Sequence, residues 1–122
     1  MAHARALRVF RVAHAGICLR VRLLPTTAAV DQEYREGKRR RGPHQVRAFF
    51  RSSPSGSVLG TIVLGLDGRL EEEIPHEVFH AVLHHQRMVH AENDEPAAYA
   101  VGILSAKIFK GVRPYAARAN SQ

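Results

Sequence analysis

The stretch Ile74-Pro75-His76-Glu77-Val78-Phe79-His80-Ala81-Val82-Leu83 is the part of this 122-residue chain around which the rest is organised. Its apolar residues form one arc at the angular spacing of an α-helix, which predicts a helix with one buried side. His76 and His80 are four residues apart, so they lie one above the other at the edge of that side. With Glu77 beside them, the stretch places two imidazoles and a carboxylate where a core meets a cleft.

The spacing His-Glu-x-x-His predicts a zinc site. Two imidazoles four residues apart on a helix can bind one zinc ion, and a glutamate beside the first can reach a water on that metal. The metal would lower the pKa of its water toward neutrality, and Glu77 would accept the proton of this water as general base. The alternative is an exposed pair of histidines, with Glu77 interacting favourably with the helix N-terminus.

Composition limits both the kind of protein and the ligands of such a site. A chain of 122 residues with 45% hydrophobic and 24% charged residues is typical of one globular domain. Cys18 is the single cysteine, so no disulfide can form within the chain, which predicts a reducing, cytoplasmic location. A zinc site must then use histidine and carboxylate ligands. No apolar run is long enough to span a membrane, so no membrane association is predicted.

The chain is basic, with a formal net charge of +7 and an isoelectric point of about 10.5. This balance favours polyanionic partners. The charge is scattered, however, and residues 38–41 (Lys-Arg-Arg-Arg) form the one true cluster, in a predicted solvated loop. No nucleic-acid-binding motif accompanies it, so nucleic acid is retained only as an alternative partner. The arginine-rich start fits either an organellar transit peptide or a structured first strand, and the alternation at residues 17–24 favours the strand.

Three segments have the apolar pattern of strands: residues 17–24, 46–51 and 58–66. The second and third form an antiparallel meander across a serine-rich turn. Residues 7–12 fit either another strand or the start of a helix. Thr26-Thr27 can cap a short helix through Tyr34, which Gly37 would stop. The predicted fold class is α+β, with an antiparallel sheet of three to four strands packed on the histidine-bearing helix and on a following helix.

Two helices are predicted after the meander, the first from residues 73–74 to 87–88 and the second from Glu95 to residues 109–110. Pro75 lacks a backbone N–H and is therefore favoured in the first turn of a helix, which places the start of the first helix at residues 73–74. Gly111 is predicted to stop the second helix. Residues 1–122 then form a single domain, in which residues 1–16 could be loose and residues 113–122 are a flexible basic tail.

A catalytic zinc ion needs a third protein ligand. His84 lies about 12 Å beyond His76 along the helix, which is too far for the same ion. The remaining candidates are His90, Glu92, Asp94 and Glu95. Glu95 is favoured because it begins a helix that should fold back on the first. A plain helical hairpin would leave Glu95 opposite the end of the first helix, so that helix must end early or the second must cross it steeply.

The segments His76-Glu77-Val78-Phe79-His80-Ala81 and Glu95-Pro-Ala-Ala98-Tyr-Ala-Val101-Gly-Ile-Leu104 resemble small gluzincin-type zinc metallopeptidases, similar to phage-encoded and repressor-cleaving (immunity-type) peptidases. The resemblance covers about residues 58–110. In that family a strand precedes the first helix, and the following helix supplies a glutamate ligand with a small residue three positions on, here Ala98.

The resemblance implies a zincin-like domain in which His76, His80 and Glu95 bind Zn²⁺ and Glu77 is the base. It also implies that an extended peptide pairs with the edge of the strand at residues 60–66. The predicted function is therefore zinc-dependent hydrolysis of peptide bonds in a protein or peptide substrate, with the oligomeric state left open. The alternative is a non-catalytic, zinc-stabilised basic protein that binds nucleic acid or a protein partner. Glu77 favours the enzyme, since a structural zinc site needs no base.

Overall fold

The computed structural model describes residues 5–36, 44–54, 56–90 and 94–120, with side chains as far as Arg118. The elements in this part are β1 (Arg8–His14), β2 (Ile17–Leu24), α1 (Thr27–Glu36), β3 (Ala48–Ser52), β4 (Gly60–Gly65), α2 (Leu70–Met88) and α3 (Glu95–Asn120). The α+β class predicted from the sequence is confirmed. The basic cluster at residues 38–41 lies outside the described residues.

The four strands form one mixed sheet in the order β1-β2-β4-β3. β1 is antiparallel to β2 and β3 is antiparallel to β4, but β2 and β4 are parallel. The meander is therefore confirmed, whereas the prediction of a fully antiparallel sheet is wrong. The physical reason is the connection, because α1 and β3 lie between β2 and β4 in the chain and return β4 in the direction of β2.

Residues 8–14, within the part of the chain that could be loose according to the sequence, form strand β1 of this sheet. β1 pairs with β2 along its whole length, from Arg8 opposite Leu23 to His14 opposite Ile17. The two residues between these strands, Ala15 and Gly16, both have positive φ, at 52° and 82°. Positive φ at both positions is the geometry that a two-residue hairpin favours, since it matches the twist of the strands.

Apolar cores lie on both faces of the sheet. α2 and α3 cover one face, and α1 covers the other. The larger core joins inward residues of the strands to the two long helices, including Leu19, Val21, Leu23, Ile62, Leu64, Ile74, Val78, Leu104 and Ile108. The smaller core under α1 consists of Leu24, Val30, Phe49 and Val63. The larger core fixes the rotation of α2 and thereby the direction of its polar side chains.

α2 begins at Leu70, one turn earlier than predicted, and contains Pro75 within the helix. Its first turn carries three acids, Glu71, Glu72 and Glu73, which interact favourably with the helix N-terminus. The favourable interaction of these acids with the helix N-terminus outweighs the preference of proline for the first helical turn. The predicted end at Met88 is confirmed.

α3 continues through Gly111 and Pro114 to Asn120, so the prediction of a stop at Gly111 is wrong. Residues 113–120, which the sequence predicted to belong to a basic tail, are part of this helix. Gly111 instead permits close packing, because a Cβ at this position would overlap the ring of Phe10. Its carbonyl also accepts a hydrogen bond from the guanidinium of Arg8 at 2.8 Å. Within the described ranges, no helix has both the length and the apolar character needed to cross a membrane.

Candidate functional site

The two histidines of α2 project from its exposed side, with their rings facing each other. The Nε2 atoms of His76 and His80 are 3.1 Å apart. The ring centroids are separated by 4.7 Å in an edge-to-face arrangement. The larger core turns Val78 and Val82 of the predicted apolar arc inward, whereas Phe79 remains exposed on the same side as the histidines.

This geometry suits a shared zinc ion. Two nitrogen ligands of one tetrahedral zinc are about 3.3 Å apart, given zinc–nitrogen bonds of about 2.05 Å. The observed 3.1 Å is close to that separation, and both Nε2 atoms face the same space. The same distance also allows an N–H···N hydrogen bond in the metal-free protein. The donor set therefore fits two of the ligands of a zinc site.

Glu77 lies beneath the histidines and is 7% exposed. One carboxylate oxygen is 3.9 Å from Nε2 of His76. Burial raises the pKa of Glu77, whereas the two imidazoles and a hydrogen bond from the backbone N–H of Phe50 lower it. The hydrogen bond connects the carboxylate to β3. Glu77 is thus a buried base that α2 and β3 hold in place together.

Glu73 is a second buried carboxylate, one turn before Glu77, and it was not predicted as a site residue. Neither of its oxygens has a hydrogen-bond partner among the described residues. Burial raises its pKa, although the nearby backbone N–H of Arg69 and the charge of Arg47 lower it. The spacing of four residues between Glu73 and Glu77 was the sequence signal, since it places both on one helix face.

Replacing Glu73 with glutamine is expected to raise the free energy of unfolding at pH 7 by up to about 1 kcal/mol, because the desolvation of its carboxylate outweighs the favourable effects of the Arg69 N–H and of Arg47. The pKa of Glu73 is raised in the folded protein, so its carboxyl stabilises the fold below the unfolded pKa, and this stability is lost as pH rises through the folded pKa. The increase in the free energy of unfolding caused by Glu73→Gln should therefore disappear in acid. Urea unfolding of both proteins at neutral pH and at about pH 4 measures it.

The control for this substitution is Glu71→Gln, which changes an exposed acid in the same helical turn. Its stability should remain close to that of the wild type at both pH values. A Glu73→Gln protein that is less stable than the wild type at neutral pH would contradict the prediction.

A groove of about 610 Å³ follows the free edge of β3, with Glu77 and His80 of α2 in one wall. A second hollow of about 440 Å³ continues the groove past His76 toward Arg47. The volume of the first is typical of ligand-binding pockets. The His-Glu pair therefore lies midway along a continuous depression beside one strand.

The free edge belongs to β3 and not to β4. β4 pairs with β2 on one side and with β3 on the other, so the predicted peptide pairing at residues 60–66 is wrong. Within β3 and its extension, the N–H of Ser53 points inward to Leu59, while that of Phe50 points outward to Glu77. Because a strand alternates, the main-chain groups of Ala48 and Ser52 also point outward into the groove.

The structure does not bring Glu95 to the histidines. Glu95 begins α3 and lies beside Ala98 on an exposed surface. The preceding Asp94 accepts a hydrogen bond from Gln86 at 2.8 Å. Gln86 is six residues beyond His80, which is about 9 Å along the helix axis. α2 and α3 therefore form the plain hairpin, and Glu95 as a ligand stays a prediction.

The other candidates for the third ligand are placed no closer. His90 follows the end of α2, and Asp94 is engaged with Gln86. Glu92 lies outside the described residues. In the parts of the chain that the structure describes, no group of three histidine, cysteine or acidic side chains is arranged to hold a metal ion.

Three further residues that the sequence did not predict as site members also line the groove: Arg51, His84 and Arg87. The sequence excluded His84 from the metal site by its distance from His76, yet its ring lies 6.0 Å from that of Phe50 beside the groove. His84 and Arg87 lie four and seven residues beyond His80, and this helical spacing was a usable signal. Arg51 had no such signal, because its place depends on which strand forms the edge.

Comparisons with protein-family models, with curated proteins and with solved structures give no significant match for this chain.

Proposed function

We propose that this chain is a small zinc-dependent metallopeptidase that hydrolyses a bond in a protein or peptide. One observation carries the proposal. The Nε2 atoms of His76 and His80 converge to 3.1 Å beside the buried carboxylate of Glu77, next to the free edge of a strand. A structural zinc site has no need of a buried base that opens on a groove.

His76 and His80 are the residues that would hold Zn²⁺, which would supply Lewis-acid activation of a water molecule and of the substrate carbonyl. Glu77 would accept the proton of the attacking water and donate it to the leaving amine, as the O–C bond forms and the C–N bond breaks. Burial raises the pKa of Glu77, which makes its carboxylate a stronger base than an exposed one. The Phe50 N–H orients that carboxylate toward the groove.

The edge of β3 would bind the substrate. An extended peptide adds to a free strand edge through its main-chain hydrogen bonds, and the alternate side chains then enter flanking pockets. The outward-facing groups of Ala48 and Ser52 lie on the two sides of Phe50, whose N–H is taken by Glu77. A peptide bound there passes directly over the His-Glu pair.

Glu95 is proposed as the third ligand, as the resemblance implies. To serve this role, the start of α3 would move by about 9 Å along the axis of α2 toward His80. A cytoplasmic location also remains part of the proposal and rests on the single cysteine, Cys18.

The test is the zinc content of the purified protein. We expect about one zinc per chain in the wild type, and loss of zinc in His80→Ala and in Glu95→Ala. Elemental analysis after gel filtration measures the ratio. Matched controls are His85→Ala and Glu71→Ala, which remove a histidine and an exposed acid of the same helix and should keep the zinc.

The outcomes separate the parts of the proposal. A wild-type chain that neither contains nor takes up zinc would refute the metallopeptidase. Full zinc content in Glu95→Ala, with loss in His80→Ala, would refute Glu95 as the ligand and leave the histidines in place. Zinc that stabilises the fold without any peptide hydrolysis would favour the non-catalytic alternative.

A further inference from the structure

The groove beside β3 carries positive charge on one side of the His-Glu pair. Arg51 and Arg87 are exposed, and His84 is half-buried. Arg87 and His84 belong to α2, while Arg51 lies on the opposite wall, where its guanidinium stacks on the ring of Phe49 at 5.0 Å. The charges therefore face the groove from two walls.

These guanidinium groups have no acidic partner within the described part of the chain. The ion pairs found there join other residues, and neither Arg51 nor Arg87 takes part in one. Glu77 is the one acid among the residues that line this half of the groove, and it is buried at the base. Uncompensated cations on both walls favour a ligand that brings carboxylates.

The other half of the groove differs in charge. Around His76 it is lined by two arginines and two further acids, Arg47, Arg69, Glu72 and Glu73. With Glu77, which also lines this half, three acids face two arginines there, so no excess of positive charge favours an acidic residue. The asymmetry predicts that charge selection occurs on one side of the His-Glu pair.

We infer that the groove selects extended peptides that carry acidic residues on the side of Arg51 and Arg87. Arg87 is seven residues beyond His80, about 10 Å along the helix, which corresponds to about three residues of extended peptide. The selected acids therefore lie about three positions from the residue beside His80. This inference rests on the proposed function only for the placement of a peptide along β3.

A peptide is favoured over a nucleic acid by the floor of the groove. The outward main-chain groups of Ala48 and Ser52 repeat at the spacing of a strand, which matches the donors and acceptors of another peptide backbone. A nucleic acid would satisfy the arginines but would leave these main-chain groups without matching partners.

The experiment measures binding of three fluorescent peptides to the full chain in EDTA, so that no zinc-dependent hydrolysis occurs. The peptides have about ten residues, long enough to span β3, and differ only in a central pair: Glu-Glu, Gln-Gln or Lys-Lys. Fluorescence anisotropy should show about tenfold tighter binding of the Glu peptide than of the Gln peptide at low salt, and a smaller ratio at high salt.

Variants of the groove residues test whether the groove causes the preference for the Glu peptide. Arg51→Gln combined with Arg87→Gln should abolish the preference for the Glu peptide, whereas Arg113→Gln, at an exposed position of α3, should retain it. Arg87→Glu should shift the preference toward the Lys peptide. An unchanged preference in the double variant would overturn the inference, as would a single-stranded oligonucleotide that displaces the Glu peptide at a lower concentration than the peptide itself.

The same peptides with added zinc separate this inference from the proposed function. Selective binding of the Glu peptide without hydrolysis would refute the peptidase and support the inference. Hydrolysis of the Glu and Gln peptides with equal kcat/KM would support the peptidase and overturn the inference.

Discussion

Replacing Glu77 with glutamine is expected to lower the rate of peptide hydrolysis by about 10³-fold while zinc remains bound. Glutamine has nearly the same shape, and its amide oxygen can still accept the hydrogen bond from the Phe50 N–H. It cannot accept a proton from water. The histidines are unchanged, so zinc content should stay at the wild-type level.

The measurement is the initial rate of cleavage of a quenched fluorescent peptide, together with the zinc content of the same preparation. Glu71→Gln is the matched control, because it changes an exposed acid of α2 outside the groove and should leave the rate unchanged. A Glu77→Gln protein that cleaves at the wild-type rate would contradict the role of Glu77 as general base. Loss of zinc from this variant would indicate that the carboxylate itself contributes to metal binding.

Replacing Gly65 with alanine is expected to destabilise the fold by about 3 kcal/mol. Gly65 ends β4 against the start of α1. An added Cβ would lie 2.6 Å from the backbone nitrogen of Thr27 and 2.8 Å from the carbonyl carbon of Thr26. Both atoms belong to the backbone and cannot rotate away. The same junction holds the hydrogen bond of 2.6 Å from the Thr27 N–H to Asp67, so displacement would also weaken that contact.

Thermal unfolding should show a decrease in Tm of about 10 °C for Gly65→Ala. The control is Gly102→Ala, because a Cβ at Gly102 meets no atom within 4 Å. Alanine is a better helix former than glycine, so this control should be about 0.8 kcal/mol more stable than the wild type. Equal stability of the Gly65→Ala protein and the wild type would refute the close approach of β4 and α1.

Local pattern was sufficient for some element boundaries. The alternation in residues 17–24 gave β2 with both ends correct, and the threonines before Ala28 gave the start of α1. The side-chain oxygen of Thr26 accepts a hydrogen bond from the Ala29 N–H at 3.1 Å, as expected of a capping residue. These features depend on neighbours within a few residues, and therefore a single sequence contains them.

Boundaries set by distant contacts were not predictable. Gly111 has the local properties of a helix stop, but the ring of Phe10, which lies in β1, packs against it and α3 continues. The pairing of β4 on both sides likewise depends on the crossover through α1 and β3. A short segment of sequence does not determine which strand lies at the edge of the sheet.

For the candidate site, the sequence by itself determined the constellation of His76, Glu77 and His80, because helical periodicity fixes their relative directions. Only the tertiary structure decided what surrounds them. Packing of α2 on the sheet buried Glu77 against Phe50, and the strand order made β3 the free edge of the groove. The uninterrupted helix to Met88 also kept Asp94, the neighbour of Glu95, beside Gln86, which is about 9 Å along the axis from His80. Spacing within one helix is a local property, whereas burial, edges and grooves arise from residues far apart in the chain.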